Sequence, residues 1–426
     1  MKVLLIGSGG REHVLAWKIA QSPLLTKLYC APGNGGIREV AECVAINADD
    51  IDGLLAFAKK ESIDLTVVGP EALLVAGIAD RFKAEGLAVF GPGKEAAQLE
   101  GSKAFAKEMM SKYNVPTAEY EVFTNENEAK HYAIEAEMPV VVKADGLAAG
   151  KGVKICESSQ EAVVAISQMM SGDLFGEAGK KVVVEQLLEG EELSVLALTD
   201  GETIISLASS QDHKRAYDSD RGPNTGGMGA YSPCPQIGDD VFNRVMETCV
   251  APLIKGLAAE GITYSGILYA GIMLTKSGPY VLEYNCRFGD PEAQVVLPRL
   301  KSDLLQVMKE VADGKLQTKV LEWHEKACLG VVMASGGYPG HYENGFVIQG
   351  ISAANSGEDV FVFHAGTSSD ADGKITTSGG RVLTVAALGG NLRQAYDRAY
   401  DALQKIQFDH SYYRRDIGRR AMEVLR

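Results

Sequence analysis

The first hundred residues repeat one unit, and it limits the fold more than any other feature: a short β-type run, a glycine-rich turn, then a helix-like segment. The β-type runs cover 3–6, 27–30, 65–68 and 88–90. Between them, 11–21, 51–62 and 74–85 space Leu, Ile and Phe at helical intervals. Strands alternating with helices predict an α/β fold with a doubly wound parallel sheet, covered on both faces. Such sheets take ligands at the carboxyl ends of their strands. GSGG (7–10), APGNGG (31–36), GPEA (69–72) and GPGK (91–94) all fall there.

The first turn carries two glycines of a dinucleotide fingerprint, Gly7 and Gly9. Glu12 fills the third position, where close helix packing needs Gly or Ala. A nicotinamide site also needs an acid near the end of the second strand, but that strand runs into Ala31 and Pro32. A nicotinamide-dependent oxidoreductase fails at both points. The amides that open the first helix are still free to hold a single phosphate, and a tight turn without a ligand is the equal alternative.

A chain of 426 residues has room for roughly three domains, and with 46% apolar residues a sizeable core is expected. Lys and Arg number 42 against 56 Asp and Glu, a net charge of −14. That balance argues against nucleic acid as a partner, because phosphate-backbone affinity needs clustered cations. The cysteines at 30, 43, 156, 234, 249, 286 and 328 show no metal-ligand spacing, which argues against a zinc site or a disulfide framework. No signal peptide or membrane-spanning run is read. The expectation is a cytoplasmic protein, with small-molecule substrates and no membrane partner.

Further along, SKAFAKEMMSKYN (102–114) predicts a helix that stops at Asn114 and Pro116. PVVVKAD (139–145) and KKVVVEQLL (180–188) predict strands, with a helix over 159–170 between them. KADGLAAGKGV (143–153) imitates a P-loop. Three residues separate Gly146 from Gly150 where that loop needs four, and Gly152 follows Lys151 in place of a hydroxyl side chain. What is left is Lys143 at a strand end with a Gly/Ala loop whose amides suit phosphate oxygens, or else a hairpin with a surface lysine. In VVVEQLLEGEE (182–192), Glu185, the backbone of 186–188 and Glu192 fit an adenosine clamp, with a solvated strand end as the alternative.

LEYNCRFGDPEAQ (282–294) is the least bland stretch. Strand alternation predicts Glu283, Asn285 and Arg287 on one face, with Leu282 and Tyr284 on the other. A carboxylate and an amide oxygen are hard ligands for magnesium, and an arginine beside them can steady a phosphoryl group in transfer. SSQDHKRAYDSDRGPNTGGMGAYSP (209–233) is a long polar loop carrying Asp212, His213, Lys214 and Arg215. Loops of that length in compact enzymes are usually functional or disordered, and the charge run alone reads as solvated surface. From 328 onward, three apolar runs and a helix over 392–405 predict a further small sheet.

In order and spacing these stretches resemble the ATP-grasp superfamily: a lysine helix at Lys103, a strand-end lysine with a Gly loop, a Glu hinge and a Glu-x-Asn-x-Arg strand. Within it, the chain is similar to the glycinamide ribonucleotide synthetases, or phosphoribosylamine–glycine ligases. Their Arg-Phe-Gly-Asp-Pro-Glu signature stands at 287–292, continuing to Gln294. The likeness also runs through GSGGREH, GPEALLVAGI, QDHKRAYD, GPNTGGMGAYSP and ASGGYPG, covering essentially the whole chain. Many ATP-grasp enzymes carry a second metal-binding acid on the strand before Glu-x-Asn. Here Tyr269 stands about there, within the LYAG pattern of the narrower family.

The resemblance implies an N-terminal substrate-binding domain over 1–101, an ATP-grasp domain over 102–327 with a lid at about 120–190, and a C-terminal domain over 328–426. It implies that ATP, glycine and 5-phosphoribosylamine give glycinamide ribonucleotide, ADP and phosphate through glycyl phosphate, in purine biosynthesis. ATP would be held by Lys103, Lys143, Gly146, Gly150, Lys151, Gly152, Glu185, Gln186, Leu188, Glu192 and Lys214. Glu283 and Asn285 would hold magnesium, with manganese as the alternative ion. Arg287 would act on the phosphoryl group, and Asp212 and Asp290 are the candidates for glycine's ammonium. Phosphoribosylamine would lie near Gly9, Gly10, Glu12 and Glu71, with the 146–152 loop closing over the triphosphate. A monomer is expected. Another ATP-grasp ligase, such as a biotin carboxylase-like or formate-dependent purine enzyme, is the closest rival, and a non-catalytic ATP-binding regulator a more distant one. The biotin carboxylase type would need the acid that Tyr269 displaces, and these rival ligases lack the signature.

Overall fold

Val3, Leu4, Leu5 and Ile6 are all fully buried, so β1 (Lys2–Gly7) is covered on both faces, as the centre of a parallel sheet must be. The computed structural model of the chain describes residues 1–148, 152–172, 176–370 and 372–424. β2 (Lys27–Pro32), β3 (Glu42–Cys43), β4 (Leu65–Val68) and β5 (Val89–Phe90) join β1 in the order β3-β2-β1-β4-β5, every neighbouring pair parallel. The order reverses between β1 and β4, which makes their carboxyl ends the switch point of the sheet. α1 (Gly10–Ile19) and α2 (Ile51–Glu61) fall where the sequence predicts helices. The helix predicted over 74–85 is two, α3 (Glu71–Ala76) and α4 (Ile78–Ala84). Gly77 breaks it at φ +92°, a conformation that glycine adopts without strain.

α5 (Gln98–Gly101) precedes α6 (Lys103–Lys112), whose N-cap Ser102 accepts from the Phe105 N–H. A four-stranded antiparallel lid follows, ordered β6-β9-β7-β8 from β6 (Tyr120–Phe123), β7 (Val140–Ala144), β8 (Val153–Cys156) and β9 (Val182–Gln186). α7 (Glu126–Glu135) and α8 (Ser159–Met170) cover one face, where Ala133, Ile166 and Met169 bury Val140, Val142, Val182 and Val184. Alternation then leaves Val141, Lys143, Ile155 and Glu185 on the opposite face.

β10 (Glu191–Thr199), β11 (Ile204–Ser206), β16 (Gly266–Thr275) and β17 (Gly278–Asn285) form a second four-stranded sheet, ordered β11-β10-β16-β17. β13 (Arg215–Tyr217) and β14 (Arg221–Asn224) make a hairpin inside the long polar loop. The C-terminal sheet extends beyond the stretch expected from 328 onward. β18 (Ala327–Ser335), β19 (Val360–His364), β22 (Arg381–Gly389) and β23 (Ser411–Tyr412) are joined there by β12 (Gln211–Asp212) and β15 (Gly229–Ser232), and β20 (Thr367–Ser369) pairs with β21 (Ile375–Thr377) beside it. The loop carrying Asp212 and Lys214 is thus anchored at both ends in the C-terminal sheet. No helix among the described residues is long and apolar enough to cross a membrane.

Candidate active site

The outward face of the lid and the face of β17 enclose a cleft of about 1150 Å³. Val141, Ile155 and Leu188 on one side and Met273 and Leu282 on the other make an apolar slot of the kind a flat base occupies. Lysines stand along its polar edge. Lys143 ion-pairs with the buried Glu185 and donates to the Leu282 carbonyl at 3.1 Å. Lys103 donates to the Gly146 carbonyl at 3.0 Å. Gln186, Gly152 and Glu192 also line the cleft. Of the residues the sequence assigns to ATP, Gly150 and Lys151 lie outside the described residues.

Simple alternation along β17 does not hold. A bulge at Leu282 sets Gly271 opposite Glu283 but Ile272 opposite Val281. Leu282, predicted on the far face, therefore lines the cleft beside Glu283 and Asn285, while Val281 is buried behind. Arg287 reaches the same cleft from just beyond the strand end. Glu283 makes no hydrogen bond or ion pair with any described side chain. Burial raises its pKa, but Lys214, Lys143, Lys103 and Arg287 outweigh that and hold it below the usual carboxylate range.

Arg287 is framed by acids: its Nε meets Glu71 at 3.2 Å and its Nη2 meets Glu100 at 2.8 Å and the Asn285 Oδ1 at 3.3 Å. Burial opposes its charge, yet Glu100 and Glu71 push its pKa above the ordinary arginine value. Arg11 stands beside it, and both guanidiniums donate to the Phe288 carbonyl at 3.3 Å. Across the cleft, burial foremost and then Glu292, Glu192 and Glu283 push the Asp212 carboxyl up to about 8, with Lys214 opposing. Lys214 ion-pairs with Glu192 at 2.7 Å. Despite burial, Glu192, Asp212 and Glu283 hold Lys214 well above its ordinary value.

The opening turn has partners other than the cleft. The Glu12 carboxylate is buried and accepts from the Gly9 N–H and from Arg11 Nε, both at 2.6 Å. It fills the notch between β1 and β4: a Cβ on Gly7 would lie 2.6 Å from Glu12 Cγ, and one on Gly69 2.1 Å from its Oε1. That notch is where a dinucleotide would need room, so the nicotinamide reading is closed by packing as well as by pattern. Asp290 lies against the N-terminus of α1, its Oδ2 3.4 Å from the Arg11 N–H, and Gln294 packs against Gly10. Asp290 also meets Gln294 at 2.8 Å and Arg381 at 3.2 Å. Burial alone would raise its pKa, but Arg381, Arg11 and these hydrogen bonds keep it below the usual range. Of the four residues expected near phosphoribosylamine, Glu71 lines the cleft, and Gly9, Gly10 and Glu12 sit behind it.

APGNGG turns away as well. Asn34 donates to the carbonyls of Ser8 and His364, both at 2.8 Å, and accepts from the Gly36 and Ile37 amides. This strand end seals the first sheet to the C-terminal one.

Comparison with known proteins matches this arrangement along the whole chain. The family models "Phosphoribosylglycinamide synthetase" N domain, ATP-grasp (A) domain and C domain match residues 1–100, 101–293 and 328–420. The chain belongs to the phosphoribosylglycinamide synthetase family. A phosphoribosylamine–glycine ligase of Halalkalibacterium halodurans is 54% identical over 99% of this chain and 97% of its own. That of Escherichia coli strain K12 is 52% identical over 99% of both. The crystal structure of a Thermotoga maritima phosphoribosylamine–glycine ligase superposes with a TM-score of 0.86 at 34% identity, covering 98% of this chain and all of that one. The biotin carboxylase domain of a Hydrogenobacter thermophilus 2-oxoglutarate carboxylase, in complex with MgADP and bicarbonate, has a TM-score of 0.76 at 17% identity, covering 97% and 91% of the two chains. That last likeness is one of fold.

Several cleft residues escape the sequence reading. Glu292, the last acid of the signature, is buried and accepts from Ser194 at 3.0 Å, and Ser194 is 3.0 Å from the Tyr269 hydroxyl. A carboxylate thus reaches the neighbourhood of Tyr269 from another segment. Its place in the signature was the available signal. Glu100 and Arg11, both against Arg287, had none beyond adjacency to a motif. Lys107 follows Lys103 by one helical turn, and that spacing is visible in the sequence. For a metal, the described residues contain no cluster of three His, Cys, Asp or Glu side chains. An ionised, unpaired Glu283 with the Asn285 oxygen fits a hard divalent ion that keeps waters and shares nucleotide oxygens.

Proposed function

We propose that this cleft performs the ligation for which the relatives are named. ATP, glycine and 5-phosphoribosylamine give glycinamide ribonucleotide, ADP and phosphate, in purine biosynthesis. The observation that carries the site assignment is Glu283, an ionised carboxylate without a hydrogen-bond or ion-pair partner among the described residues, ringed by Lys103, Lys143, Lys214 and Arg287. Such a ring of cations is what a triphosphate requires, and the free carboxylate is what its metal requires.

The base lies in the apolar slot, against the backbone of 186–188, and Glu192 faces the ribose. Lys103, Lys143 and Lys214 take phosphate oxygens, with Gly146 and Gly152 beside them in the cleft lining. Glu283 and Asn285 would hold a divalent ion, magnesium or manganese, which when bound would neutralise phosphate charge. Asp212, on the opposite wall, receives glycine's ammonium and turns its carboxylate toward Arg287. Asp290, tied to Arg381, Gln294 and α1, positions the signature loop. One oxygen of the glycine carboxylate attacks the γ-phosphorus and ADP leaves, giving glycyl phosphate. Phosphoryl transfer of this kind needs positioning and charge neutralisation above all.

The amine of phosphoribosylamine then attacks the glycyl carbonyl. The tetrahedral intermediate expels phosphate, the nitrogen loses a proton, and the amide is formed. Glu71, partly exposed between Arg11 and Arg287, faces the sugar. Its pKa is raised by burial but lowered further by Arg287 and Arg11, so it serves as a fixed anion for hydroxyl groups rather than as a base. The test scores ADP release with glycine and phosphoribosylamine added separately and together. ADP formed only with both, and no AMP, is expected. Release driven by bicarbonate or formate instead would overturn the reading.

A further inference from the structure

Beneath the nucleotide lysine lies a second one that the reaction as described does not use. Lys107 is 2% exposed, and its Nζ donates to the Thr117 hydroxyl at 2.7 Å and stands 5.2 Å from the centre of the Tyr120 ring. It also lies 2.5 Å from Glu185 Oε2, an ion pair without an aligned hydrogen bond. The other oxygen of Glu185 pairs with Lys143. Two buried lysines thus share one buried carboxylate, leaving a single net positive charge on the wall of the cleft.

The arrangement presents an electrostatic problem that Lys107 solves. Two of the three Nζ–H donors of Lys143 are taken, by Glu185 and the Leu282 carbonyl, and its charge is neutralised by that carboxylate. To put its charge on a phosphate group it must loosen its hold on Glu185. A buried carboxylate that loses its counter-ion is strongly unfavourable, so with Lys143 as sole partner the pair would stay locked. Lys107 removes the obstacle, because Thr117 and Tyr120 hold it on Glu185 whatever Lys143 does. We propose that Lys107 is a positioning residue that keeps Glu185 compensated while Lys143 transfers from that carboxylate to the nucleotide. The inference rests on the assignment of Lys143 to the ATP phosphates.

The test measures the dissociation constant of MgATP in the full-length protein for Lys107→Met, Glu185→Gln, the double variant and Lys143→Met. Lys107→Met leaves Lys143 alone with Glu185, and MgATP is expected to bind about tenfold or more weakly. Adding Glu185→Gln removes the carboxylate that locks Lys143 and returns the group to one net positive charge. The double variant is therefore expected to bind MgATP at least about threefold more tightly than Lys107→Met, a rescue that lost packing would not give. Wild-type affinity in Lys107→Met, or a double variant no tighter than Lys107→Met, would overturn the proposal. If Lys107→Met does not fold, the double variant is compared with Glu185→Gln: affinities within about threefold support the proposal, because Lys107 then acts only through Glu185, and a larger loss overturns it. Lys143→Met separates the two readings. Unchanged affinity there removes the assignment of Lys143, whereas weakened affinity without rescue in the double variant removes only the role of Lys107.

Discussion

Arg381 grips Asp290 twice, ion-pairing with its carboxylate at 3.2 Å and donating to its backbone carbonyl at 2.8 Å. The same guanidinium donates to the Gly226 carbonyl at 2.7 Å. One side chain at the start of β22 therefore fixes the signature loop, the polar loop and, through Asp290, the N-terminus of α1. None of these groups needs to touch ATP. Arg381→Ala is expected to lower kcat by about tenfold to a hundredfold, because small misplacements of Arg287 are costly, and to leave MgATP affinity within about threefold. Steady-state kinetics beside direct ATP binding check this. Weakened ATP binding with an unchanged kcat would contradict it.

Glu283→Gln replaces the unpaired anion by an amide of the same shape. Loss of magnesium-dependent ADP formation by roughly a hundredfold or more is expected, with the fold intact by circular dichroism. A variant that turns over normally would show that the metal is held elsewhere.

Asp212 and Asp290 are both candidates for the glycine ammonium, and their surroundings separate them. Asp290 already has Arg381, Gln294 and the Arg11 amide. Asp212 sits buried among Glu292, Glu192 and Glu283, a field that welcomes a cation. Asp212→Asn is expected to raise the KM for glycine about tenfold to a hundredfold, the range of a lost hydrogen bond to a charged group. The affinity for ATP should stay close to normal. An unchanged glycine KM would remove Asp212 from the substrate site.

What could be read from the chain was whatever local pattern controls. The alternation of β1, α1 and β2 and the lysine at the end of β7 announce themselves within a few residues. So does the signature that carries Arg287. Relationships set by packing between distant segments were not legible. The bulge at Leu282 depends on the register with β16 and leaves no mark in the alternation of 280–285. The contact of Asn34 with His364 spans 330 residues, so APGNGG looks like any other ligand-facing strand end. Glu12 looked free for a ligand because nothing in GSGGREH tells that it folds back into the notch at Gly69. Glu292 was hidden differently, inside a motif where Arg287 and Asp290 account for the chemistry that charge alone suggests.

Gly69 allows Glu12 its place. A Cβ there would lie 2.1 Å from Glu12 Oε1, so Gly69→Ala must move a buried carboxylate that also holds Gly9 and Arg11. A loss of about 1–3 kcal/mol is expected, the usual range for overpacking a tight site. Denaturant unfolding measures it. Gly69→Ala at full stability would mean that Glu12 is mobile and that the notch is open to ligands.

The seam between the first and last sheets is predicted to weaken in acid. The His364 amide donates to His13 Nδ1 at 2.7 Å, so His13 must be neutral there. Burial foremost, and then His364, pushes the His13 pKa down to about 3, and burial brings His364 down to about 4. Both values lie below the unfolded value of 6.5, so the unfolded chain binds more protons between these limits and stability rises with pH. Read downward, stability is lost as the pH falls below about 6.5, by about 2 kcal/mol for each histidine at pH 5. Protonation of His13 also destroys the acceptor that holds the His364 amide. His13→Asn keeps an acceptor that does not titrate, and is expected to lessen the loss between pH 7 and pH 5 by about 2 kcal/mol. Denaturant unfolding of both proteins across that range checks it. An equal acid sensitivity in His13→Asn would place the cause outside this seam.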